Sequence, residues 1–321
     1  MKTAIALLNW NGKNWLQKFL PGVVLHSPEA DIYVIDNAST DGSVDFVRTN
    51  FPEVRIIENK ENHGFAAGYN EGLRNIEADI FCLLNTDVEV TENWLTPVLG
   101  LFERNPDIAA IQPKILDYNR RNYFEFAGAA GGFIDNLGYP YCRGRMFEQI
   151  EQDFGQYDDE SEIFWASGCG LFIRANDYWA QNGFDERFFA HQEEIDLCWR
   201  LKNSGKKIFY TSKSTVYHVG GGTLNKQSPR KTFLNIRNNC SMLVKNLPVS
   251  AIVWVLLCRL ILDGLAAVHF GFKMGFAHFW AVAQAHFSFY KQIPGTVARR
   301  QKQQINHYYG QKWIIFKHFL K

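Results

Sequence analysis

The 321 residues have the composition of a globular protein with almost no net charge. Hydrophobic residues make up 46% and charged residues 21%, which excludes a disordered chain. The formal net charge of +1 gives no overall field that would favour nucleic acid or an acidic partner. The cysteines show no C-x-x-C pair and no metal-like spacing, so we expect buried free thiols in a reducing compartment. They are Cys82, Cys142, Cys169, Cys198, Cys240 and Cys258.

The first 115 residues alternate between apolar runs and helix-like segments. Asn9 and Asn11 end the first run without a cleavage signature, so we predict a strand there, not a signal peptide. The catalytic part is therefore expected in the cytoplasm. Strands that alternate with helices predict an α/β fold with a mostly parallel sheet, covered on both faces. The predicted strands are 3–8, 31–36, 54–58, 80–84 and 108–113, and the predicted helices are 13–26, 41–50, 66–77 and 92–104.

The pattern becomes less regular after Lys114. Residues 117–160 are rich in Gly, Tyr and acidic side chains, which indicates long loops or an irregular insertion. Regular structure is predicted again further on, as a strand-like run from Ile163, a helix over about 193–204, two short strands and a basic helix. The strands read KIFYT and STVYHV, and the basic helix covers 230–246.

The C-terminal part is a nearly continuous apolar run, 249–272, that contains Arg259 and Asp263. A bilayer span needs about 20 apolar residues, and two central charges argue against a simple span. An aromatic segment at 273–290 and a basic stretch follow. These features favour helices that lie in or dip into the cytoplasmic face of the membrane, with cations at the headgroups. A membrane-spanning hairpin and a helical cap on a soluble domain are the alternatives.

Polar clusters follow several predicted strands, where parallel sheets bind their ligands. A G-x-G-x-x-G fingerprint does not follow the first strand, which argues against a nicotinamide enzyme. Asp36 ends the second strand, either as a turn residue or as an acceptor for a base N–H or a ribose hydroxyl. Gly64, Gly68 and Gly72 each weaken a helix by roughly 1 kcal/mol. That cost is tolerable where backbone approaches a diphosphate, or where the helix packs tightly on the sheet.

Asp87 follows the fourth strand directly, within Asn85-Thr86-Asp87. A divalent cation that bridges a diphosphate needs only one or two protein carboxylates, because phosphate oxygens and water complete its shell. Asp87 is therefore a candidate metal ligand, with a simple turn as the alternative. His218 ends a later strand; a lone histidine there is usually structural, but with Asp87 it could complete a metal or diphosphate site.

Glu194 is the candidate general base. At about 100° per residue it lies within the apolar arc that holds Leu197 and Leu201. A carboxylate on that side is costly unless it opens onto a site, and burial would raise its pKa toward that of a working base. Glu193 projects nearer Arg200, as a surface neighbour or salt-bridge partner would, and is the second choice. Acidic residues at a helix start are the ordinary alternative for both.

Seven motifs, in this order and spacing, closely resemble the family 2 glycosyltransferases of GT-A fold, particularly the rhamnosyltransferase-like branch that builds bacterial surface polysaccharides. They cover about residues 3–245 and read LLNWNG, IDNASTDGS, N-x-x-N-x-GFAAGYNEGL, LLNTDVEV, ASGCGLFIR, FFAHQEEIDLCWRL and HVGGGT. We therefore expect a GT-A catalytic domain with a Rossmann-like sheet over 1–245. A helical, membrane-associating region is expected over 246–321.

The resemblance implies a role for each matching residue. Glu193-Glu194 matches the Glu-Asp pair of the family, whose second member is the base, although Glu194 is one methylene longer. Asn85-Thr86-Asp87 matches the metal-binding D-x-D, so Asp87 alone would supply a carboxylate to Mg²⁺ or Mn²⁺, with His218 nearby. The implied nucleotide-sugar contacts are Leu8, Asn9, Asn11, Asp36, Asn37, Asn62, Gly64, Asn70, Asn85 and Thr86, and the implied acceptor contacts are Ser167, Gly168 and Cys169.

The activity implied is an inverting transfer of a sugar, rhamnose among the candidates, from a dTDP- or UDP-linked donor. The acceptor would be a glycan or lipid-linked glycan at the cytoplasmic face of the membrane, with no nucleic acid partner. A sugar nucleotidyltransferase of the same fold is one alternative, although it would need a Gly-rich phosphate loop with Lys or Arg after the first strand. A non-catalytic membrane-bound scaffold is the other, and the intact Asp87, Glu194 and His218 argue against it.

Overall fold

A computed structural model describes residues 1–220 and 228–319 as an α/β protein. The strands in these ranges are β1 Thr3–Asn9, β2 Asp31–Asp36, β3 Arg55–Glu58, β4 Ile80–Asn85, β5 Val88–Val90, β6 Ile108–Asp117, β7 Gly132–Ile134, β8 Pro140–Cys142, β9 Arg145–Met146, β10 Gln149–Ile150, β11 Glu160–Ile163, β12 Gly170–Arg174 and β13 Lys207–His218. The helices are α1 Lys13–Leu25, α2 Ser43–Asn50, α3 Gly64–Leu73, α4 Leu95–Arg104, α5 Ala175–Ala180, α6 Glu193–Asn203, α7 Pro229–Asn246, α8 Val249–Met274, α9 Phe276–Val297 and α10 Ile314–Phe319.

The main sheet has the order β11-β13-β6-β12-β4-β1-β2-β3, and β5 pairs with β13. The strands β4, β1, β2 and β3 run parallel, while β12 lies antiparallel between β4 and β6. The register places Asn9 beside Asp36, and Leu8 beside Asn85. Three polar clusters that are far apart in the sequence therefore meet at one edge of the sheet.

Both faces of the main sheet are buried, which explains why its strands read as continuous apolar runs. Side chains of a strand alternate between faces. Ala4 and Ala6 of β1 accordingly pack in one hydrophobic cluster, and Ile5 and Leu7 pack in the other. The expected α/β architecture with a mostly parallel, doubly covered sheet is confirmed.

The predictions were less accurate beyond the first sheet strands. Residues 117–160, expected as loops, contain a second, four-stranded antiparallel sheet of order β10-β9-β8-β7. The two strands predicted near KIFYT and STVYHV are one strand, β13, whose register with β6 shifts between Thr211 and Thr215. The strand β5 was not predicted, because its three residues are too few for an alternating pattern. The six cysteines are free, as expected, and all except Cys258 are buried.

Two glycines of α3 let this helix pack closely on the sheet. A methyl group added at Gly72 would lie 2.5 Å from the side chain of Ile35, and one added at Gly68 would lie 2.6 Å from that of Asn37. Close packing therefore explains Gly68 and Gly72. Gly64 differs, because it has a φ of +78° and begins the helix.

We expect Gly72→Ala to lower the free energy of unfolding by about 1–2 kcal/mol, because overpacking against Ile35 outweighs the gain in helix propensity. Gly22 of α1 is the matched control, since no atom lies within 4 Å of a methyl group added there. Gly22→Ala should raise stability by about 0.5–1 kcal/mol. Thermal unfolding of the two variants measures both signs, and a stabilised Gly72→Ala would contradict the packing argument.

The C-terminal helices pack on the rest of the protein through α7, which contacts both α8 and α9. Arg259 and Asp263 of α8 are buried and form a salt bridge of 3.1 Å. These charges therefore do not interrupt the exposed side of α8. Large apolar side chains are exposed there and on α9, namely Val249, Val253, Trp254, Leu257, Leu260, Ile261, Leu265, Val268, Phe272, Phe276, Trp280 and Phe287.

Within the described residues, α8 is long and apolar enough to cross a membrane. Its 26 residues would extend for about 39 Å. Arg259 and Asp263 were expected to oppose a simple span. They pair with each other inside the protein, so they do not place an unpaired charge on the exposed side of α8. That α8 could cross a membrane rests on its length and composition.

Candidate functional site

A cavity of about 790 Å³ lies at the edge of the main sheet where the polar clusters meet. All but three of the site residues predicted from the sequence line this cavity. The lining includes Leu8, Asn11, Asn37, Asn62, Gly64, Asn85, Thr86, Asp87, Ser167, Gly168, Cys169, Glu193, Glu194 and His218. Residues from β1 through to β13 thus line the same cavity.

The three exceptions, Asn9, Asp36 and Asn70, do not line the cavity. They form hydrogen bonds within the protein. Asn9 donates from Nδ2 to Asp36 Oδ1 (2.8 Å) and to Ser43 Oγ (2.9 Å). The Asn70 amide donates to the Phe184 carbonyl (2.9 Å), and its oxygen accepts from Tyr178 (2.6 Å). Most of their polar atoms have protein partners, and Asn9 Oδ1 has none among the described residues. Direct contacts of these three with a nucleotide sugar stay a prediction.

Asp87 and His218 form one polar group of the cavity, and Glu125 joins them. His218 Nε2 lies 3.2 Å from Asp87 Oδ1, and His218 Nδ1 lies 3.3 Å from Glu125 Oε1. Burial opposes the charge of Asp87, but the hydrogen bond and charge of His218 outweigh it and lower the pKa of Asp87. Burial likewise works against protonated His218, yet Cys169, Glu125 and Asp87 together raise its pKa well above the usual value.

The residues of this group fit a hard divalent cation. Asp87 offers a carboxylate, and His218 would offer an imidazole nitrogen once the cation displaces its proton. Few protein ligands suffice when a diphosphate and water complete the shell. Glu125 stands beside the other ring nitrogen of His218, at 3.3 Å, where an outer carboxylate commonly orients a metal-binding histidine. Asn85 Nδ2 lies 3.4 Å from His218 Nε2, so the first residue of the Asn85-Thr86-Asp87 motif lies next to His218 as well.

Glu193 and Glu194, at the start of α6, form a second acidic group in the cavity. Burial, and then the charge of Glu194, raise the pKa of Glu193 well above its usual value. Burial raises the pKa of Glu194 to about 7. Because the two carboxyls interact, they titrate as a pair. A carboxyl with a pKa of about 7 can accept a proton near neutral pH, which makes Glu194 a candidate base.

The expected salt bridge or surface contact between Glu193 and Arg200 is wrong. Arg200 instead binds Asp196 at 2.8 Å, one turn earlier on α6. Glu193 is buried, and its Oε2 has no hydrogen-bond partner among the described residues. Glu193 was expected near Arg200 because the two are seven residues apart on the helix. Asp196 is only four residues before Arg200 and therefore lies closer to it.

The loop that precedes the acidic pair has a strained backbone. Phe189, His191 and Gln192 have φ values of 64°, 71° and 74°, which cost side chains other than glycine on the order of 1–3 kcal/mol each. Asn238 of α7 holds the loop, because its amide donates to the carbonyls of Phe188 (3.0 Å), Ala190 (2.9 Å) and His191 (2.8 Å). The start of α6 is thereby fixed in space.

The loop also connects the acidic pair to the start of α3. The Phe189 carbonyl accepts from the backbone N–H groups of Phe65 (2.7 Å) and Ala66 (3.2 Å). A methyl group added at Gly64 would lie 2.6 Å from the Phe189 ring, so a residue larger than glycine does not fit there. The segment implied to contact the donor and the segment that carries the candidate base are thus packed together.

Ser167, Gly168 and Cys169 lie close to the acidic pair. A methyl group added at Gly168 would be 3.8 Å from Glu194 Cβ. Burial raises the pKa of the Cys169 thiol to about 12, so this cysteine is a neutral lining residue and not a nucleophile. An acceptor hydroxyl that reaches Glu194 would therefore pass beside this segment.

Several cavity residues were not predicted from the sequence. Trp10 lies within the LLNWNG motif and Trp15 shortly after it, whereas Glu125, Arg145 and Trp165 belong to or border the segment expected as loops or an irregular insertion. Pattern alone gave no signal for Glu125 and Arg145, since short strands of two or three residues show no alternation. His191, within the FFAHQEE motif, also lines the cavity; burial, helped by Lys231, lowers its pKa to about 4, so its imidazole is neutral at pH 7.

Residues 5–160 match the family model described as Glycosyl transferase family 2. Over 224 residues the chain is 25% identical to the N-acetylglucosaminyl-diphospho-decaprenol L-rhamnosyltransferase of Mycobacterium tuberculosis (strain CDC 1551 / Oshkosh). This match covers 63% of the present chain and 71% of the relative. The similarity to a rhamnosyltransferase thus extends beyond the segment that the family model covers.

Two solved structures have a similar fold at low sequence identity. GalNAc-T7, crystallised with UDP, GalNAc and Mn²⁺, superposes with a TM-score of 0.61 at 14% identity, over 78% of this chain and 48% of that one. S. aureus TarS 1-349 in complex with UDP-GlcNAc gives 0.58 at 13% identity, over 94% and 84%. At these identities the likeness shows a GT-A fold. By the family match, residues 5–160 form a family 2 glycosyltransferase domain, and the chain is similar to a rhamnosyltransferase.

Proposed function

We propose that the protein is an inverting glycosyltransferase that moves a sugar from a nucleoside-diphosphate donor to a hydroxyl of a glycan or lipid-linked glycan. One observation carries the proposal: a single cavity contains a group suited to a diphosphate and its cation, Asp87 with His218, and an acidic pair with a raised pKa, Glu193 with Glu194. Displacement of a nucleoside diphosphate by a hydroxyl needs both functions. Family membership favours this activity over nucleotidyl transfer.

In the proposed reaction Glu194 accepts the proton of the acceptor hydroxyl. A base with a pKa of about 7 can take up a proton near neutral pH and still be largely unprotonated slightly above it. The hydroxyl then attacks the anomeric carbon from the face opposite the diphosphate, which inverts the configuration. Burial and the charge of Glu194 raise the pKa of Glu193 as well, so the two carboxyls titrate as a coupled pair, of which Glu194 is the member we propose as the base.

The donor diphosphate would lie at Asp87, Asn85 and His218. A bound Mg²⁺ or Mn²⁺ would neutralise the charge that develops on the leaving diphosphate. Asp87 would hold the cation, and His218, with Glu125 behind it, would complete its protein ligands. Leu8, Asn11, Asn37, Asn62 and Gly64 line the cavity on the side of β1, β2 and α3, where we place the nucleoside.

The donor and acceptor are proposed from the relatives. The Mycobacterium tuberculosis relative is named as an L-rhamnosyltransferase that uses a lipid-linked N-acetylglucosaminyl diphosphate. We therefore propose a rhamnose or related hexose on dTDP or UDP, and a lipid-linked acceptor in polysaccharide synthesis of the cell envelope. The apolar face of α8 and α9 suits attachment to the cytoplasmic face of the membrane, where such an acceptor would be found.

The first test is the thermal stability of detergent-purified protein with dTDP, UDP, GDP or NAD, each with and without Mn²⁺. A ligand at 100 times its dissociation constant should add roughly 2.7 kcal/mol to the stability of the native state. We expect a metal-dependent rise in Tm with one nucleoside diphosphate and no rise with NAD. The stabilising nucleotide identifies the base of the donor.

Asp87→Ala is the matched variant for this test. It should abolish the Mn²⁺-dependent part of the rise, because Asp87 supplies the carboxylate that holds the cation. Asp45 of α2, an exposed aspartate in a surface salt bridge, provides a control with the same change of charge. Folded protein that shows no rise with any diphosphate would overturn the proposal in favour of a non-catalytic scaffold.

A further inference from the structure

Arg145 has no role in the proposed reaction, yet it lines the same cavity. It begins the short strand β9 of the second sheet, and 8% of its surface is exposed. Its guanidinium lies 4.8 Å from the centre of the Phe126 ring, and Nη2 lies 3.4 Å from Cys142 Sγ. The side chain is therefore held at one place on the cavity wall.

The charge of Arg145 lacks a protein counterion. Within residues 1–220 and 228–319 it forms no salt bridge, and its buried Nε has no hydrogen-bond partner. A buried guanidinium without an anion costs several kcal/mol, so proteins rarely keep one unless a ligand pairs with it. Arg143, two residues earlier, shows the ordinary case: its guanidinium pairs with Asp159 at 2.8 and 3.0 Å.

The position of Arg145 favours the acceptor side of the cavity. The second sheet links it to that side, because Arg145 pairs with Cys142, Cys142 with Gly132, and Gly132 with Trp165. Trp165 is two residues before Ser167-Gly168, which lies beside Glu194. The donor diphosphate already has a proposed partner in Asp87 and His218. A second anion on the acceptor is therefore the simplest ligand for this arginine.

We propose that Arg145 binds a phosphate or diphosphate ester on the acceptor, next to the sugar whose hydroxyl is activated by Glu194. The planar fork of a guanidinium matches phosphate oxygens in a bidentate arrangement. Arg145 would thus select acceptors in which the sugar is attached directly to a phosphorylated lipid, over neutral glycans. This inference rests on the proposed function and adds a determinant of acceptor choice.

The test compares two probes that differ in charge, farnesyl-diphospho-N-acetylglucosamine and neutral farnesyl N-acetylglucosaminide. Binding is measured by calorimetry in detergent, with Mn²⁺ and the nucleoside diphosphate that stabilises the protein. The wild type should bind the charged probe about 10- to 100-fold more tightly than the neutral one. Arg145→Gln should remove most of this preference, and Arg145→Lys should retain part of it, since a lysine keeps the charge but not the fork.

Arg143→Gln is the matched control, with the same change of charge on the same hairpin. It should keep the preference for the charged probe but lower Tm, because Arg143 has a protein partner. Arg145→Gln should leave Tm unchanged or raise it, because its charge has none. Opposite effects on stability and on binding would separate a ligand-binding arginine from a structural one.

Two results would overturn the inference while leaving the proposed function intact. One is equal binding of both probes, or of neither, by wild-type protein that still binds the nucleoside diphosphate with Mn²⁺. The other is loss of that nucleotide binding in Arg145→Gln, which would place Arg145 at the donor. Absence of nucleotide binding by the wild type would instead contradict the proposed function itself.

Discussion

Glu194→Gln should lower turnover by about 10²- to 10⁴-fold, the range that general base catalysis usually contributes. The amide cannot accept the proton of the acceptor hydroxyl, but it keeps the size of the side chain and the packing of α6. Affinity for the nucleoside diphosphate should therefore change little. Initial rates with saturating donor and acceptor, together with nucleotide titrations, would measure the two effects separately.

The wild-type pH profile is part of the same expectation. Because the pKa of Glu194 is about 7, kcat/KM should rise as the pH increases from 6 to 8 and the carboxyl loses its proton. Glu193→Gln is the control, and its effect on turnover should be smaller. Near-normal turnover of Glu194→Gln, with severe loss in Glu193→Gln, would show that the two roles are exchanged.

The acidic pair also has a predictable effect on stability. A carboxyl whose pKa is raised in the folded state keeps a proton that the unfolded chain releases, so stability falls as the pH rises from about 4.5 toward 7. Glu194→Gln removes this loss. The Tm of Glu194→Gln should therefore exceed that of the wild type at pH 8 and approach it at pH 5. The variant would gain stability and lose activity.

Arg259→Met should cause the largest loss of stability among the changes considered, about 3–5 kcal/mol. It would take the guanidinium away from buried Asp263, which would keep His286 Nε2 at 3.2 Å, and it would remove a donor to Asn239 Oδ1 and a cation from the face of the Tyr139 ring. The expected fall in Tm is roughly 5–15 °C for a protein of this size. Thermal unfolding in detergent would measure it.

The double variant Arg259→Met/Asp263→Leu tests the cause of that loss. Replacing both charges by apolar groups avoids an unpaired ion, so the double variant should be clearly more stable than Arg259→Met alone. Arg48→Met, which removes an exposed arginine from a surface pair, is the control and should barely change Tm. Equal losses in the single and double variants would indicate that packing, not the unpaired charge, dominates.

Predictions from the sequence were most accurate where motifs and periodicity agreed. The strand ends that carry Asn11, Asn37 and Asp87 were located correctly, because parallel strands bring their carboxyl ends to one edge of a sheet. The apolar arc around Glu194 correctly indicated partial burial. These residues occur in regular elements, where neighbours in the sequence determine which side chains share a face.

Other parts of the site depend on contacts that the sequence does not encode locally. Arg145 reaches the cavity from a small sheet of strands two or three residues long, and Glu125 from the irregular segment before it, so neither leaves a periodic signal. Asp36 and Asn70 form hydrogen bonds with residues distant in the sequence, Asn9 and Tyr178, which the motifs do not reveal. The inward direction of Arg259 and Asp263 likewise becomes visible only when α7 and α9 are in place.

The place of β12 in the main sheet has a consequence for synthesis of the protein. The strand β6 joins β4 only through β12, which follows both in the chain. A nascent chain that ends at residue 160, where the family match ends, would hold β1–β4 as one half-sheet and β6 without its partner. At typical translation rates, β4 would wait on the order of ten seconds for β12, with an apolar edge open to chaperones or to aggregation. The segment that defines the family is therefore not expected to be the unit that folds.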